Sequence, residues 1–160
     1  MISLSKRKEG FTIVELLIVI VVIGILAGLV ITTYNGIQQK ARNTERTTDL
    51  KTFQSQLEAY YANNGSYPDN TDLGAGGTNG ANNVTFIQTN MKGMDKETLR
   101  DPKATAGDYS LLTSGTGTAN KYTYVPSPTS CSDSGTTCTS YKLYAVPEGG
   151  GNTIEFDSLN

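Results

Sequence analysis

The stretch that decides the fold covers residues 11–31 and reads FTIVELLIVIVVIGILAGLVI. It contains one charged residue, Glu15, and no proline, and sixteen of its 21 residues are Phe, Leu, Ile or Val. A helix of this length rises about 31 Å, which matches the hydrocarbon core of a bilayer. The apolar side chains favour insertion by roughly 5–10 kcal/mol and one acid opposes it by about 3 kcal/mol. The segment is therefore predicted to span a membrane despite its charge.

The remainder of the chain is polar, and its composition argues against several classes of function. The formal net charge of −2 becomes −4 from residue 11 onward, with ten basic against fourteen acidic residues, which argues against a body-wide nucleic-acid surface. The chain contains no histidine, which excludes histidine bases and histidine metal ligands. No combination of nucleophile, base or paired carboxylates is convincing, so we expect no enzyme, no cofactor and no catalytic or metal site.

A basic leader precedes the apolar segment in residues 1–10, MISLSKRKEG. By the positive-inside rule, Lys6, Arg7 and Lys8 predict a cytoplasmic N-terminus, with the rest of the chain on the other side of the membrane. A secretory signal would end its apolar core in a cleavage site between small residues, whereas this run continues into more helix. The order of basic residues, glycine and apolar run predicts cleavage between Gly10 and Phe11.

The run KEGFTIVELLIVIVVIGILAGL resembles the N-terminus of type IV pilins and the related pseudopilins. The resemblance implies that a prepilin peptidase cuts after Gly10 and then methylates the new N-terminal residue, Phe11. It also makes Glu15 the acid that this family carries five residues into the mature chain. The resemblance covers the leader and the apolar helix well, the following helix moderately and the head only in scattered features. One departure is Thr32, which stands where many type IV pilins have a proline.

Glu15 is predicted to set the register of an assembled filament. After cleavage Phe11 bears a cationic amine, and within lipid both charges need partners. When subunits pack through their N-terminal helices, Glu15 of one copy can meet the Phe11 amine of a neighbour, as a buried polar residue fixes the register of a coiled coil. The alternative is an acid favoured at a helix N-terminus by the helix dipole. Its place directly after the Gly10–Phe11 junction favours the assembly role.

Residues 33–64 continue the helix with an amphipathic pattern. Apolar side chains recur at intervals of three and four, at Tyr34, Ile37, Ala41, Leu50, Phe53, Leu57, Tyr60 and Tyr61. One helix is predicted from Phe11 to about Asn63, because Asn64-Gly65 is a stop signal and Tyr67-Pro68 requires an extended backbone. The apolar stripe is expected to pack against a head domain.

Residues 65–160 are predicted to form that head. A loop rich in glycine and asparagine covers residues 69–83, one or two short helices cover 84–100 with Asp95 as an N-cap, and a turn follows at Asp101-Pro102. Alternating patterns predict strands at 121–125, 140–146 and 153–156, and a weaker one at 108–112. In the second of these strands Tyr141, Leu143 and Ala145 share one face. The expected fold is α+β, with a long N-terminal helix packed on a small antiparallel sheet, as in pilins.

Two cysteines, Cys131 and Cys138, lie in the connection between the first two strong strands. Beside an export segment, such a pair predicts a local disulfide formed in an oxidising compartment, and two free thiols are the alternative.

Two groups of charged residues are predicted to face solvent. Just beyond the apolar segment, the basic residues are expected to be solvated or to face lipid headgroups, with DNA contact as a less favoured alternative; they are Lys40, Arg42 and Arg46. Near the C-terminal end, the acids are expected to be solvated turn residues; they are Glu148, Glu155 and Asp157. Pseudopilins often bind calcium in a C-terminal loop, but no ligand set can be assigned here.

The sequence thus predicts a leader at 1–10, a transmembrane assembly helix at 11–32, an amphipathic helix at 33–64 and a head at 65–160. The favoured function is a type IV pilus subunit, held in the cytoplasmic membrane with its head outside and then polymerised into an extracellular filament. Its expected partners are copies of itself, prepilin peptidase, the pilus or secretion assembly machinery and membrane lipid. The alternatives are a type II secretion pseudopilin, a competence pilin that binds DNA and, in a different class, a membrane-anchored binding domain.

Overall fold

The computed structural model of the protein describes residues 10–74, 78–132 and 135–160. The predicted leader lies outside the described residues except for Gly10, and nothing is stated of the Thr32 side chain. The chain divides into two compact units, Met1–Gln38 and Gln39–Asn160. The first unit contains the apolar segment and the second contains the head.

Helix α1 is the main element, and its bounds are Ile13–Asn64. It ends where the sequence predicts, because Gly65 takes a left-handed φ of 73° and its amide donates a 2.7 Å hydrogen bond to the Tyr61 carbonyl. Within the described residues α1 alone is long and apolar enough to cross a membrane, with a mean hydropathy of 3.1 over eighteen residues, none of which is buried. The long helix of the sequence analysis is confirmed.

The core of the head is built on the later turns of α1. Leu50, Phe53 and Leu57 are fully buried, and the rings of Phe53 and Tyr124 lie 6.0 Å apart. The prediction for the early part of the stripe is wrong, because Tyr34 and Ile37 are 58% and 61% exposed. Both belong to the first compact unit.

The head sheet has three antiparallel strands in the order β1-β2-β3, with bounds Thr123–Ser127, Ser140–Ala145 and Ile154–Asp157. Leu143 on the central strand is paired with Tyr124 on one side and Phe156 on the other. As the alternation predicts, Tyr141, Leu143 and Ala145 are buried. The antiparallel α+β fold is confirmed.

The weak strand predicted at 108–112 does not form. Only Leu112 pairs, through an isolated bridge to Thr123. The Asp108 carboxylate instead accepts hydrogen bonds from the amide and hydroxyl of Ser110, a local turn that competes with strand pairing.

Short helices connect α1 to the sheet. Helix α2, Ala81–Asn90, begins inside the stretch predicted to be a loop and follows a 3-10 turn, Thr78–Gly80. The loop prediction is therefore wrong for residues 81–83. Asn83 is buried, and its side chain accepts a hydrogen bond from the Gly74 amide and donates one to the Tyr109 carbonyl. A second 3-10 helix, Lys96–Leu99, is capped by Asp95 as predicted.

The predicted disulfide between Cys131 and Cys138 is confirmed. Both cysteines are buried in the connection between β1 and β2. The amide of Tyr67, just beyond α1, donates a 3.0 Å hydrogen bond to the Cys138 carbonyl. The disulfide therefore closes the hairpin connection next to the end of the long helix.

We predict that replacing both cysteines with alanine lowers the stability of the head. Closing a loop of this size contributes about 2.5 kcal/mol in the chain-entropy model. In thermal unfolding of the full chain in detergent, the midpoint should fall on the order of 10 °C, while the exposed loop variant Ser130→Ala should match wild type. Native protein denatured without reductant should resist alkylation, and two labelled thiols would contradict the prediction.

Candidate assembly site and the ion pairs of the head

The N-terminus of α1 is closed by Thr12 and Glu15. The Thr12 amide and hydroxyl donate hydrogen bonds of 2.9 Å and 2.8 Å to Glu15 Oε2. In return the Glu15 amide donates a 3.2 Å bond to Thr12 Oγ1. This reciprocal arrangement is a capping box, in which a threonine at the N-cap and an acid three residues later satisfy amides at the helix start. Glu15, the acid of the predicted assembly site, therefore also caps the N-terminus of the helix.

Thr12 is a residue of this site that the sequence analysis did not include. Its signal is present as the spacing T-x-x-E at residues 12–15, directly before an apolar run. Phe11 and Glu15 are both exposed, and the side chains of the apolar segment are exposed with them. Cleavage after Gly10, methylation of Phe11 and pairing of Phe11 with Glu15 of another copy stay predictions.

Arg46 is the largest charged group buried in the head. Its side chain is 0% exposed and forms two parallel hydrogen bonds of 2.7 Å and 2.9 Å with the two carboxylate oxygens of Asp101. The remaining guanidinium nitrogen donates to Asn43 and Glu148. Burial disfavours the charged guanidinium, but these acceptors outweigh it and raise the pKa of Arg46. A buried arginine with this many partners fixes the geometry of the elements around it.

Arg42 and Glu148 extend the same cluster toward the surface. The Arg42 guanidinium donates bonds of 2.6 Å and 2.7 Å to the two oxygens of Glu148, while Asn43 forms two bonds with the Glu148 backbone. Lys103 lies 3.5 Å from the same carboxylate. The bonds from Arg42 lower the pKa of Glu148 to about 2. We call Arg42, Asn43, Arg46, Asp101 and Glu148 the clamp, because it ties α1 to the turns at Asp101 and Glu148.

The clamp corrects two predictions. Arg46 is fully buried, and Arg42, although 28% exposed, is bonded to Glu148, so neither is a freely solvated residue, whereas Lys40 is exposed as expected. Glu148 is not a solvated turn acid either, because its carboxylate holds both arginines. The sequence carries the spacing of four between the arginines, but no local pattern identifies acids that lie 55 and 102 residues away from Arg46.

A second polar cluster lies further along α1, at Glu58. Its carboxylate accepts bonds from the hydroxyls of Tyr67 and Tyr141, each 2.8 Å long, and from the Leu159 amide and the Asn160 side chain. Burial, together with the neighbouring Glu58, raises the pKa of Tyr67 to about 12, so the hydroxyl remains a donor at neutral pH. Glu58 thereby attaches the segment after β3 to the helix. In the described part of the chain, no three potential metal-ligating side chains come together.

Fold and N-terminal site define a class: a single apolar helix with an acid near its start, followed by a small α+β head. A family model described as the prokaryotic N-terminal methylation motif matches residues 5–31. In its N-terminal motif, its architecture and its relatives the chain is type IV pilin-like, similar to the broad family that includes pilins and pseudopilins. The family resemblance drawn from the sequence is therefore confirmed.

The relatives are of two kinds. The type II secretion system core protein G of Dickeya chrysanthemi is 37% identical over 73 residues, which cover 46% of this chain and 47% of that protein. The type II secretion system core protein G of Vibrio cholerae is 35% identical over 69 residues, which cover 43% of this chain and 47% of that protein. The type IV major pilin protein PilE1 of Neisseria gonorrhoeae is 31% identical over 106 residues, which cover 59% of this chain and 50% of that protein.

The chain spans about half the length of the curated relatives it matches. No solved structure matches the chain significantly.

We predict that Arg46→Met destabilises the head strongly, because it leaves the buried Asp101 carboxylate without its cation. Removing one partner of a buried pair costs about 3–5 kcal/mol. The exposed Lys40→Met on the same helix should change stability by less than about 0.5 kcal/mol. Thermal or denaturant unfolding of the full chain in detergent measures both variants.

A double variant separates the lost ion pair from lost packing. Combining Arg46→Met with Asp101→Asn removes both charges, so it should be less destabilised than Arg46→Met alone. If the double variant loses the sum of the two single effects, the two residues do not act as a pair.

Proposed function

We propose that this chain is a pseudopilin, a subunit of the pilin-like fibre of a type II secretion system, similar in role to core protein G. The observation that carries the proposal is the prepilin methylation motif on an unburied apolar helix, in a chain 37% identical to one core protein G over the matched residues. The pilus subunit favoured by the sequence analysis becomes the second candidate. The role is that of a structural subunit, not an enzyme.

The apolar helix supplies both the anchor and the polymerisation surface in this proposal. Before assembly, membrane lipid covers the side chains of residues 11–32. During assembly, helices of other copies replace the lipid, so the apolar surface stays away from water in both states. The same surface therefore explains a single-pass protein of the cytoplasmic membrane, with its head outside, that later becomes part of a fibre.

Processing prepares the N-terminus for this exchange. We infer that prepilin peptidase removes residues 1–10 and methylates Phe11, which remains a cation. Leader removal leaves the apolar helix with one cation at its start and one anion at Glu15. These two charges can be neutralised between neighbouring copies, which gives polymerisation an axial register.

The head is the part that remains folded outside the membrane. Its disulfide closes the connection between β1 and β2, and the clamp ties two sequence-distant turns to α1. A rigid head suits a subunit that is lifted from the membrane by assembly machinery and then packed against its neighbours. Nucleic acid is not among the partners we propose.

A type IV pilus subunit is the second candidate. The similarity to PilE1 covers 59% of this chain, against 46% for the core protein G described above. A longer match is the specific observation in its favour, although the identity is lower at 31%.

The experiment that tests the proposal is deletion of the gene in its own host, with complementation. We expect loss of type II substrates from the culture medium and no loss of surface pili, and restoration of secretion by the wild-type chain. Normal secretion together with missing surface fibres would contradict the secretion role and support the pilus candidate. The same strains test processing, because intact-mass analysis should find a chain that begins at Phe11 and is one methyl heavier.

We predict that the charge of Glu15, and not its capping bond, is needed for assembly. Glu15→Gln keeps an oxygen that can accept from the Thr12 amide but removes the negative charge. It should insert in the membrane and fail to enter fibres, as should Glu15→Ala. Thr12→Ala removes the capping hydroxyl and keeps the charge, so it should still assemble. Cross-linking between subunits in the membrane and envelope fractions, which separates assembled from unassembled chains, measures the outcome.

If Glu15→Gln assembles normally while Glu15→Ala does not, the helix cap is the important function and the charge pairing is wrong. Co-expression with wild type distinguishes a subunit that cannot nucleate from one that cannot enter a fibre.

A further inference from the structure

Among the described residues of the head, Asp49 is a titratable group whose surroundings disfavour its charge. It lies on α1 between the clamp and the core, where its side chain is half-buried. One described donor reaches its carboxylate, the Tyr122 hydroxyl, at 2.7 Å from Oδ2. Tyr122 is itself fully buried beside β1. A carboxylate in such a place gives up part of its hydration for a single neutral donor.

The charged groups around Asp49 are unfavourable to a second negative charge. Glu45 lies on the same helix and Asp101 lies in the turn after the 3-10 helix Lys96–Leu99, and the negative charges of both repel that of Asp49. Arg46 is the neighbouring cation, and its guanidinium is already bonded to Asp101, Asn43 and Glu148. Burial first, and the two acids in addition, raise the pKa of Asp49 from 3.8 to about 6, against the opposing effect of the Tyr122 bond.

We propose that Asp49, with Tyr122 and Asp101, is a proton-binding site that tightens the packing of the head on α1 in mild acid. The switch belongs to the fold of the head and does not depend on the proposed function. Proton uptake removes the buried charge of Asp49 and its repulsion from Asp101. The protonated carboxyl then stays between helix and sheet at a smaller desolvation cost.

The direction of the pH effect follows from linkage. An acid with a higher pKa in the folded than in the unfolded state binds its proton more tightly when folded, so protonation favours folding. The stabilisation is complete below the unfolded pKa of about 3.9 and is lost as pH rises through about 6. The folding equilibrium constant should change by up to roughly a hundredfold across this window.

Two features of the chain allow the pH dependence of stability to be assigned to Asp49. The chain has no histidine, so the side chain that ordinarily titrates near pH 6 is missing. The clamp acts in a different range, because the pKa of Glu148 lies at about 2 and its ion pairs are lost only as pH falls below the ordinary range of a glutamate. A stability change between pH 5 and pH 7 can therefore be assigned to Asp49.

The test is thermal unfolding of the full-length chain in detergent at pH 5 to 8. The wild-type midpoint should be highest near pH 5 and fall through pH 6 to a lower plateau. Asp49→Asn keeps the shape of the side chain and cannot ionise, so its midpoint should be flat and exceed that of wild type at pH 8. The control Glu45→Gln, which neutralises the exposed neighbour, should retain the step.

The variant Tyr122→Phe tests the role of Tyr122 through the pH at which the step occurs. If Tyr122 contributed only packing, its replacement would lower stability without shifting that pH. The variant removes the donor to the charged form, so the step should shift to higher pH even if overall stability falls. A wild-type midpoint that is flat between pH 5 and 8, or a step that persists in Asp49→Asn, would overturn the proposal.

If Asp49→Asn does not fold, carboxyl NMR titration of aspartate-labelled wild type gives the answer directly. One aspartate with a midpoint near pH 6 supports the proposal, and all midpoints below pH 5 refute it.

Discussion

The structure depends on one helix, α1, that has an exposed apolar part and a part buried in the core of the head. Inside a bilayer every backbone amide and carbonyl needs a partner, which an unbroken helix supplies by itself. α1 provides this over its exposed apolar part and then carries Leu50, Phe53 and Leu57 into the core of the head. Because the head is assembled on the later turns of α1, the polar contacts that fix the head are made to side chains of that helix. Arg42, Arg46, Asp49 and Glu58 are therefore parts of the fold and not a solvated face.

These four residues differ in whether ion pairs or neutral hydrogen-bond donors satisfy their charged groups. Arg46 and Asp101 form a buried ion pair with two parallel hydrogen bonds. This pair costs desolvation, but it fixes the position of the Asp101 turn on α1. Glu58 has no cation among its described partners and is satisfied by two tyrosine hydroxyls and the segment after β3. Asp49 has one described donor, Tyr122. The environment of charged groups thus differs from residue to residue along one helix. The proposed protonation of Asp49 near pH 6 is therefore compatible with ion pairs of Glu148 that persist to lower pH.

Much of the fold follows from local sequence signals. The apolar run, the Asn64-Gly65 stop, the alternation in β2 and the N-cap at Asp95 each depend on neighbours within a few residues, and each was predictable. The clamp was not, because its partners are 55 and 102 residues from Arg46 and a charged residue on an amphipathic helix ordinarily faces water. Asn83 was misplaced for the same reason, since its two partners lie in separate turns. At the N-terminus the motif identified Gly10, Phe11 and Glu15 as candidates, but the T-x-x-E spacing that marks Thr12 was overlooked.

The two roles considered for Glu15 are compatible in the geometry of its carboxylate. Both bonds from Thr12 reach the same oxygen, Oε2. A carboxylate has two oxygens with several lone pairs, so the helix cap can be kept through Oε2 while Oε1 approaches a cation of another copy. The cap then matters for the proposed assembly, because it holds the Glu15 carboxylate at the first turn of α1, next to Thr12 and close to Phe11. A charge fixed in this way loses less side-chain entropy on pairing than a free glutamate would, which makes the register it sets more specific.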